Sequence, residues 1–241
     1  VLASCGKDGC TDPTAPNYNP DATKDDGSCE EVANEYLLTG TLSENKTLDA
    51  SYIWTLEGRV IVPSGVTLTI PAGTIIKATA GTGANASSLV IARGGMINDE
   101  GTASAPIIMT STSDDIAVGQ TSGSSLTENV RGLWGGLLVL GNAPCSFSGD
   151  VSELQIEGIP ASETNGLYGG SDPADNSGVL RYVSIRHGGA EIGEGNEING
   201  LTLGGVGTGT TIENIEVVGN VDDGIEFFGG NVNASGLLVW G

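Results

Sequence analysis

The stretch Ile212-Glu-Asn-Ile-Glu-Val-Val-Gly-Asn-Val-Asp-Asp-Gly-Ile-Glu-Phe-Phe-Gly-Gly-Asn231 decides the fold. It holds two strand-length apolar blocks, 212–218 and 225–228, split by a glycine and a polar turn, with no 3.6-residue period. Its row Ile212, Ile215, Val217 repeats the spacing of Leu180, Val183, Ile185, and Gly236-Leu237-Leu238-Val239-Trp240 restates the row 22 residues after Ile215. Gly200-Leu-Thr-Leu-Gly204 and Gly224-Ile-Glu-Phe-Phe228 begin 24 residues apart. Working outward, Val66–Ile70 alternates, turns at Pro71-Ala72-Gly73, and restarts at Thr74. A period of 20–25 with strand-sized units is the signature of a solenoid whose coils stack on one another. The expected fold is all-β, a right-handed parallel β-helix over residues 50–241, with inward Ile, Leu and Val filling the bore and glycines at the corners. Segment 136–189 carries longer excursions, Cys145–Asn176 above all, which read as loops leaving the wall.

Composition narrows the function classes. The 241 residues are 38% hydrophobic, enough for a sizeable core, and 39 glycines imply frequent tight turns. Nine basic groups against 30 acidic give −21, which excludes nucleic acid as a partner because its phosphates would be repelled. One histidine and four cysteines argue against a Cys/His zinc site. No apolar run approaches the ~20 residues of a membrane span. Cys10 and Cys29 flank a polar segment and are expected to form a disulfide, which places the chain in an oxidising exterior. Cys145 then reads as a small buried hydrophobe.

Residues 5–31 form an irregular module rich in proline and paired acids. Oxygen ligands recur at Asn17, Asn19 and Asp21, with Asp12 before them and Asp25 and Asp26 after, so these six are candidate Ca2+ ligands. The loop is not an EF-hand, since Ala22 and Ser28 stand where glycine and glutamate are required. A calcium-ordered module and a solvated acidic linker both remain open. Residues 32–49 read as a linker and N-terminal cap.

Four resemblances add to this reading. Val1-Leu2-Ala3-Ser4-Cys5 resembles a bacterial lipobox; this implies that residues 1–4 are a signal-peptide remnant and that Cys5 is lipidated, a membrane contact through the anchor alone, at the bacterial outer-membrane surface. The run from Gly9 to Cys29 is similar to short modules of Bacteroidota surface proteins compared with thrombospondin type 3 calcium repeats, with Pro16 where those carry a further cysteine. Residues 212–231 resemble the pectin-lyase-like superfamily. The strings LTGTL, GLWGG, YGG-DP-DNSGVLRYVSIR and NEINGLTLGGVGTGTT are similar to a group of Bacteroidota surface lipoproteins over roughly 40–241. These imply a β-helix but no particular chemistry. The stop at Trp240-Gly241 without a capping segment is expected to mean a portion of a longer chain, or an end covered by a partner.

Chemistry is sparse. A nucleophilic triad would have to use the single His187, and no G-x-S-x-G elbow is present. The glycine runs neither open a helix nor carry a Walker lysine. The nearest acid-base constellation is Asp222, Asp223 and Glu226 with Arg186, suited to a polysaccharide lyase or a glycoside hydrolase. Asp222-Asp223 is similar to the paired aspartates of polygalacturonases, whose other motifs are absent. For the turn Asp222-Asp223-Gly224, a polar corner, a calcium-binding turn and catalysis stay open. His187 is expected to be an exposed turn residue, and Trp54, Trp134, Trp240, Tyr168 and Tyr182 are the aromatic candidates for sugar stacking. The function expected is a non-enzymatic adhesin or spacer. Its loops 110–130 and 145–177 would present a surface to a glycan or cell-surface protein, or the protein would self-associate into a fibre.

Overall fold

The computed structural model describes residues 6–13, 15, 17–29, 36–149, 151–193 and 196–241. Contacts divide the chain into two compact units, 1–35 and 36–241. The expected lipidation residue, Cys5, lies outside the described residues. In the smaller unit Cys10 and Cys29 form the disulfide, and Asp8–Gly9 pairs in parallel with Lys24–Asp25.

The larger unit is a parallel β-helix. Its pairings sort into three ladders, here called faces A, B and C, which the chain visits in that cyclic order. Face A stacks 46–47, 67–71, 96–100, 178–181, 211–213 and 234–235. Face B stacks 37–39, 53–56, 75–78, 107–111, 183–186, 215–218 and 237–240. Face C stacks 59–62, 88–91, 137–140, 201–204 and 225–228. The repeats read in the sequence are the registers observed: Leu180, Val183 and Ile185 sit on Ile212, Ile215 and Val217, and Leu201 sits on Ile225.

Inward residues stack in rows, such as Val60, Leu89, Leu137 and Leu201 on face C, all fully buried. Removing each such side chain from water stabilises the fold by about 1.5–3 kcal/mol. In the last three coils the corner between faces A and B is one residue wide. Tyr182, Asn214 and Gly236 occupy it one above another, all in the left-handed region at φ 51°, 57° and 68°. Glycine and asparagine tolerate that conformation, whereas a tyrosine there costs roughly 1 kcal/mol.

The two large insertions do not leave the wall, as the sequence reading expects; they cover it. Strands Ser88–Ile91, Ile107–Ser111 and Leu137–Leu140 are buried at every position, so their outward side chains need cover as well. On face B, Ile116 of the loop 112–136 closes over Ile75 and Ile108, with Ile53 beside them. On face C, Ile156, Ile159 and Tyr168 of the segment 141–177 close over Ile61, Val90, Leu138 and Leu140. Among the described residues no such cover lies on face A, and its strands Thr67–Pro71 and Met96–Glu100 alternate between buried and partly exposed. Ile116→Ala is expected to lower stability by about 2–4 kcal/mol in urea unfolding. Limited proteolysis should then cut within 112–131 before the coils, whereas Ile97→Ala in the bore should open loop and coils together.

Candidate functional site

A groove of about 280 Å³ runs along face B between the wall and the loop 112–136. Its floor follows from the ladder register, which sets Arg186 beside Val218 and Val218 beside Trp240, with Ser184, Glu216 and Leu238 in the next outward row. Arg186 Nε donates to Ser184 Oγ at 2.8 Å, and its Nη2 lies 3.6 Å from Glu216 Oε2. Ser184 Oγ donates to the same carboxylate at 2.5 Å, and Trp240 Nε1 donates to its other oxygen at 3.2 Å. Glu216 thus holds a serine, an arginine and a tryptophan in place. Trp240 is 47% exposed, whereas Trp54 and Trp134 are core residues. Trp134 Nε1 donates to the Arg186 carbonyl at 2.7 Å and so fixes the backbone beneath the groove.

The opposite wall of the groove is built around two adjacent aspartates. Asp114 accepts from Thr110 Oγ1 at 3.0 Å and from the Ile116 N–H at 3.0 Å, while Lys77 Nζ donates to its carbonyl at 2.6 Å. Asp115 accepts from Ser124 Oγ at 2.6 Å, from the Ser124 N–H at 2.5 Å and from the Ser125 N–H at 3.1 Å. Those donors, the Ser124 hydroxyl foremost, hold the Asp115 carboxyl down at about 2. His187 closes the end of the groove. It is buried rather than exposed, sits at φ 62°, and its Nδ1–H donates to Val130 O at 2.7 Å, tying the loop to the coil corner.

The residues expected for catalysis are divided between two faces. Arg186 belongs to face B, while Glu226 projects from face C and Asp222 and Asp223 lie exposed in the turn before it. Glu226 instead meets residues that the sequence reading did not single out. Asn199 Nδ2 donates to its Oε2 at 2.6 Å and lies 3.5 Å from Glu157 Oε1. Burial pushes the Glu226 carboxyl above its ordinary value, and the charges of Glu157, Asp223 and Asp222 add to the rise against the Asn199 hydrogen bond. Burial likewise raises the neighbouring Tyr168 phenol, with Cys145, Glu157 and Glu226 contributing. Glu157 was not recoverable from spacing, because it arrives on the insertion. Glu216 was, since laying 180–186 over 212–218 sets Ser184 on Glu216.

In the N-terminal unit the six expected calcium ligands are engaged locally. Asn17 Nδ2 donates to Ser28 O at 2.6 Å, Asn19 Oδ1 accepts from the Asp21 N–H at 3.1 Å, and Asp21 pairs with Lys7 at 2.9 Å. Asp25 and Asp26 each accept the N–H two residues on, at 3.0 Å, and Ser28 holds the Asp26 carboxyl below its usual range. Asp12 also has a partner. Among the described residues no three His, Cys, Asp or Glu side chains converge as a metal site.

Three parallel ladders wound into one wall agree with the family comparison, in which the model of the pectate-lyase like beta helix domain matches residues 40–241. The chain belongs to the pectate-lyase-like β-helix family. No curated protein and no solved structure gave a match. Within this β-helix the groove wall should respond to acid in one direction. A carboxyl depressed in the fold supports structure above its unfolded value, near 3.9, and that support is lost as pH falls toward about 2. An NMR titration of Asp115 should give a midpoint near 2, and Asp115→Asn should speed cleavage of 113–125 at neutral pH.

Proposed function

We propose that the protein is a non-enzymatic extracellular binding protein whose rigid β-helix presents the face B groove to a glycan, free or carried by a cell-surface protein. The observation that carries this reading is the groove lined by Trp240, Arg186 and Glu216, whose far wall is held by Asp114 and Asp115. An indole face stacks on the C–H face of a sugar ring, and the flanking charged groups supply directed hydrogen bonds to hydroxyls. A chain of net charge −21 favours neutral glycans over polyuronates. Location at the bacterial outer surface through lipidated Cys5 belongs to the same proposal, and the Cys10–Cys29 disulfide supports an oxidising exterior. In a screen of neutral and uronate-rich polysaccharides, binding without release of reducing ends is expected. Trp240→Ala should weaken that binding at least tenfold, roughly the loss of one stacked sugar contact. Filaments without glycan binding would move the reading to a structural role.

A second reading, polysaccharide cleavage, is favoured by the family and by Glu226, an acid raised by burial beside Glu157. A carboxyl raised by burial with a second carboxyl close by is the arrangement of a general acid with its partner. Depolymerisation abolished by Glu226→Gln or Asp223→Asn would replace the binding reading with this one.

For the N-terminal unit we propose calcium binding by rearrangement. Asp21 would leave Lys7, and Asp25 and Asp26 would leave their turns, to bring six to eight oxygens together. Calorimetry with calcium alone should show a saturable heat and slower proteolysis of 12–26. No heat and unchanged proteolysis would leave a stapled acidic spacer.

A further inference from the structure

Asp99 stands in the bore. The register alternates outward and inward along 96–100 and places Asp99 between Ile70 of one coil and Leu180 of the next, in the inward row that continues to Ile212. Its exposure is zero, and neither carboxyl oxygen has a hydrogen-bond partner. The side chains stacked on it in the ladder are apolar, Ile70 on one side and Leu180 on the other. The bore they share holds Leu68, Ile107, Met109, Leu137 and Val139 in one buried cluster, with the uncharged Ser111 in an inward row of face B. The charged neighbours along the ladder point away. Glu100, the next residue, is on the outer surface with Arg181, and Arg181 is in turn paired with Glu213. No cation reaches Asp99 among the described residues, and burial alone drives its carboxyl well above the ordinary value.

We propose that Asp99 is held as the neutral acid inside the β-helix and acts as a built-in pH-sensitive element, loosening the coils around Met96–Glu100 as the medium turns from acid to alkaline. A bare carboxylate in an apolar bore would face a desolvation penalty that nothing nearby offsets, so the folded state keeps the proton. The unfolded chain releases it on passing about pH 3.9. From there upward the native state binds one more proton than the unfolded state, and stability falls as pH rises until Asp99 ionises within the fold. One retained proton corresponds to about a tenfold fall in the folding equilibrium constant per pH unit. The direction is opposite to that of Asp115, whose contribution is lost on acidification.

The test compares the native chain with Asp99→Asn and Asp99→Leu in urea unfolding between pH 5 and 8. The other acidic groups titrate in all three, so only the difference in slope reports Asp99. The expected result is a native chain that loses up to tenfold more per pH unit than either variant, with both variants more stable than the native chain at the upper end. Equal slopes would overturn the proposal, since they would mean that Asp99 is ionised and partnered in the fold. Should neither variant fold, infrared spectroscopy of the native protein at pH 7 decides the matter. A carbonyl band of a protonated carboxylic acid in the folded protein, lost on unfolding, supports the proposal, and carboxylate bands alone overturn it.

Discussion

An inward side chain of this wall cannot be buried by its own coil alone; the neighbouring coils, stacked in register, complete its packing. This requirement governs the molecule. Ile97 pairs with Gly178, 81 positions later, as faithfully as Ile53 pairs with Ile75, 22 positions later. The chain can be lengthened at the corners because the register is set by the apolar rows and not by loop length, and a longer flexible connection adds closure entropy only slowly. Slipping a strand by one residue would turn its whole inward row to the outside, so the coils lock once the rows match.

The same rule, applied to the outside, explains the insertions. Strands that are apolar on both surfaces cannot be left facing water on one of them, and the segments 112–136 and 141–177 meet that need on faces B and C. The scarce arginines then act as fasteners. Arg59 and Arg93 hold the second insertion through Glu163, Glu153 and the Gly169 carbonyl, and Arg131 reaches the Asn220 carbonyl. Arg181 and Arg186 join neighbouring coils. Partly exposed pairs of this kind contribute little energy each, but they orient the covers. With the arginines so engaged, a surface of net charge −21 offers no basic stripe for an acidic polymer.

How much of this could be read in advance follows from the period. From 180 to 240 the coils run at 22 to 32 residues, short enough for the rows Leu180, Ile212 and Val183, Ile215 to be recognised, and the β-helix was legible there. Between 97 and 178 the insertions bury the repeat. The continuous apolar runs SLVI, IIMT and LLVL did carry a signal, since burial on both surfaces calls for a cover that the wall itself does not supply. The groove was partly legible: loop 110–130 and Trp240 were named as candidates, and Glu216 follows from the register that the repeat sets, while Asp115 acts through a loop geometry that spacing does not reveal. Glu157 and Asn199 come to Glu226 from different segments, and no linear motif links them. Nothing in the linear sequence marks Asp99; the register places it in the bore.

The central claim is that the covers belong to the core, so that the wall is protected from both sides where they lie. Hydrogen-exchange mass spectrometry of the native chain tests it most directly. The account predicts the slowest exchange in 88–91, 107–111 and 137–140, faster exchange on face A at 67–71, and measurable protection of 113–125 through the Asp114 and Asp115 hydrogen bonds. Exchange of 113–125 at the rate of an unstructured peptide, with 107–111 no slower than 67–71, would contradict it.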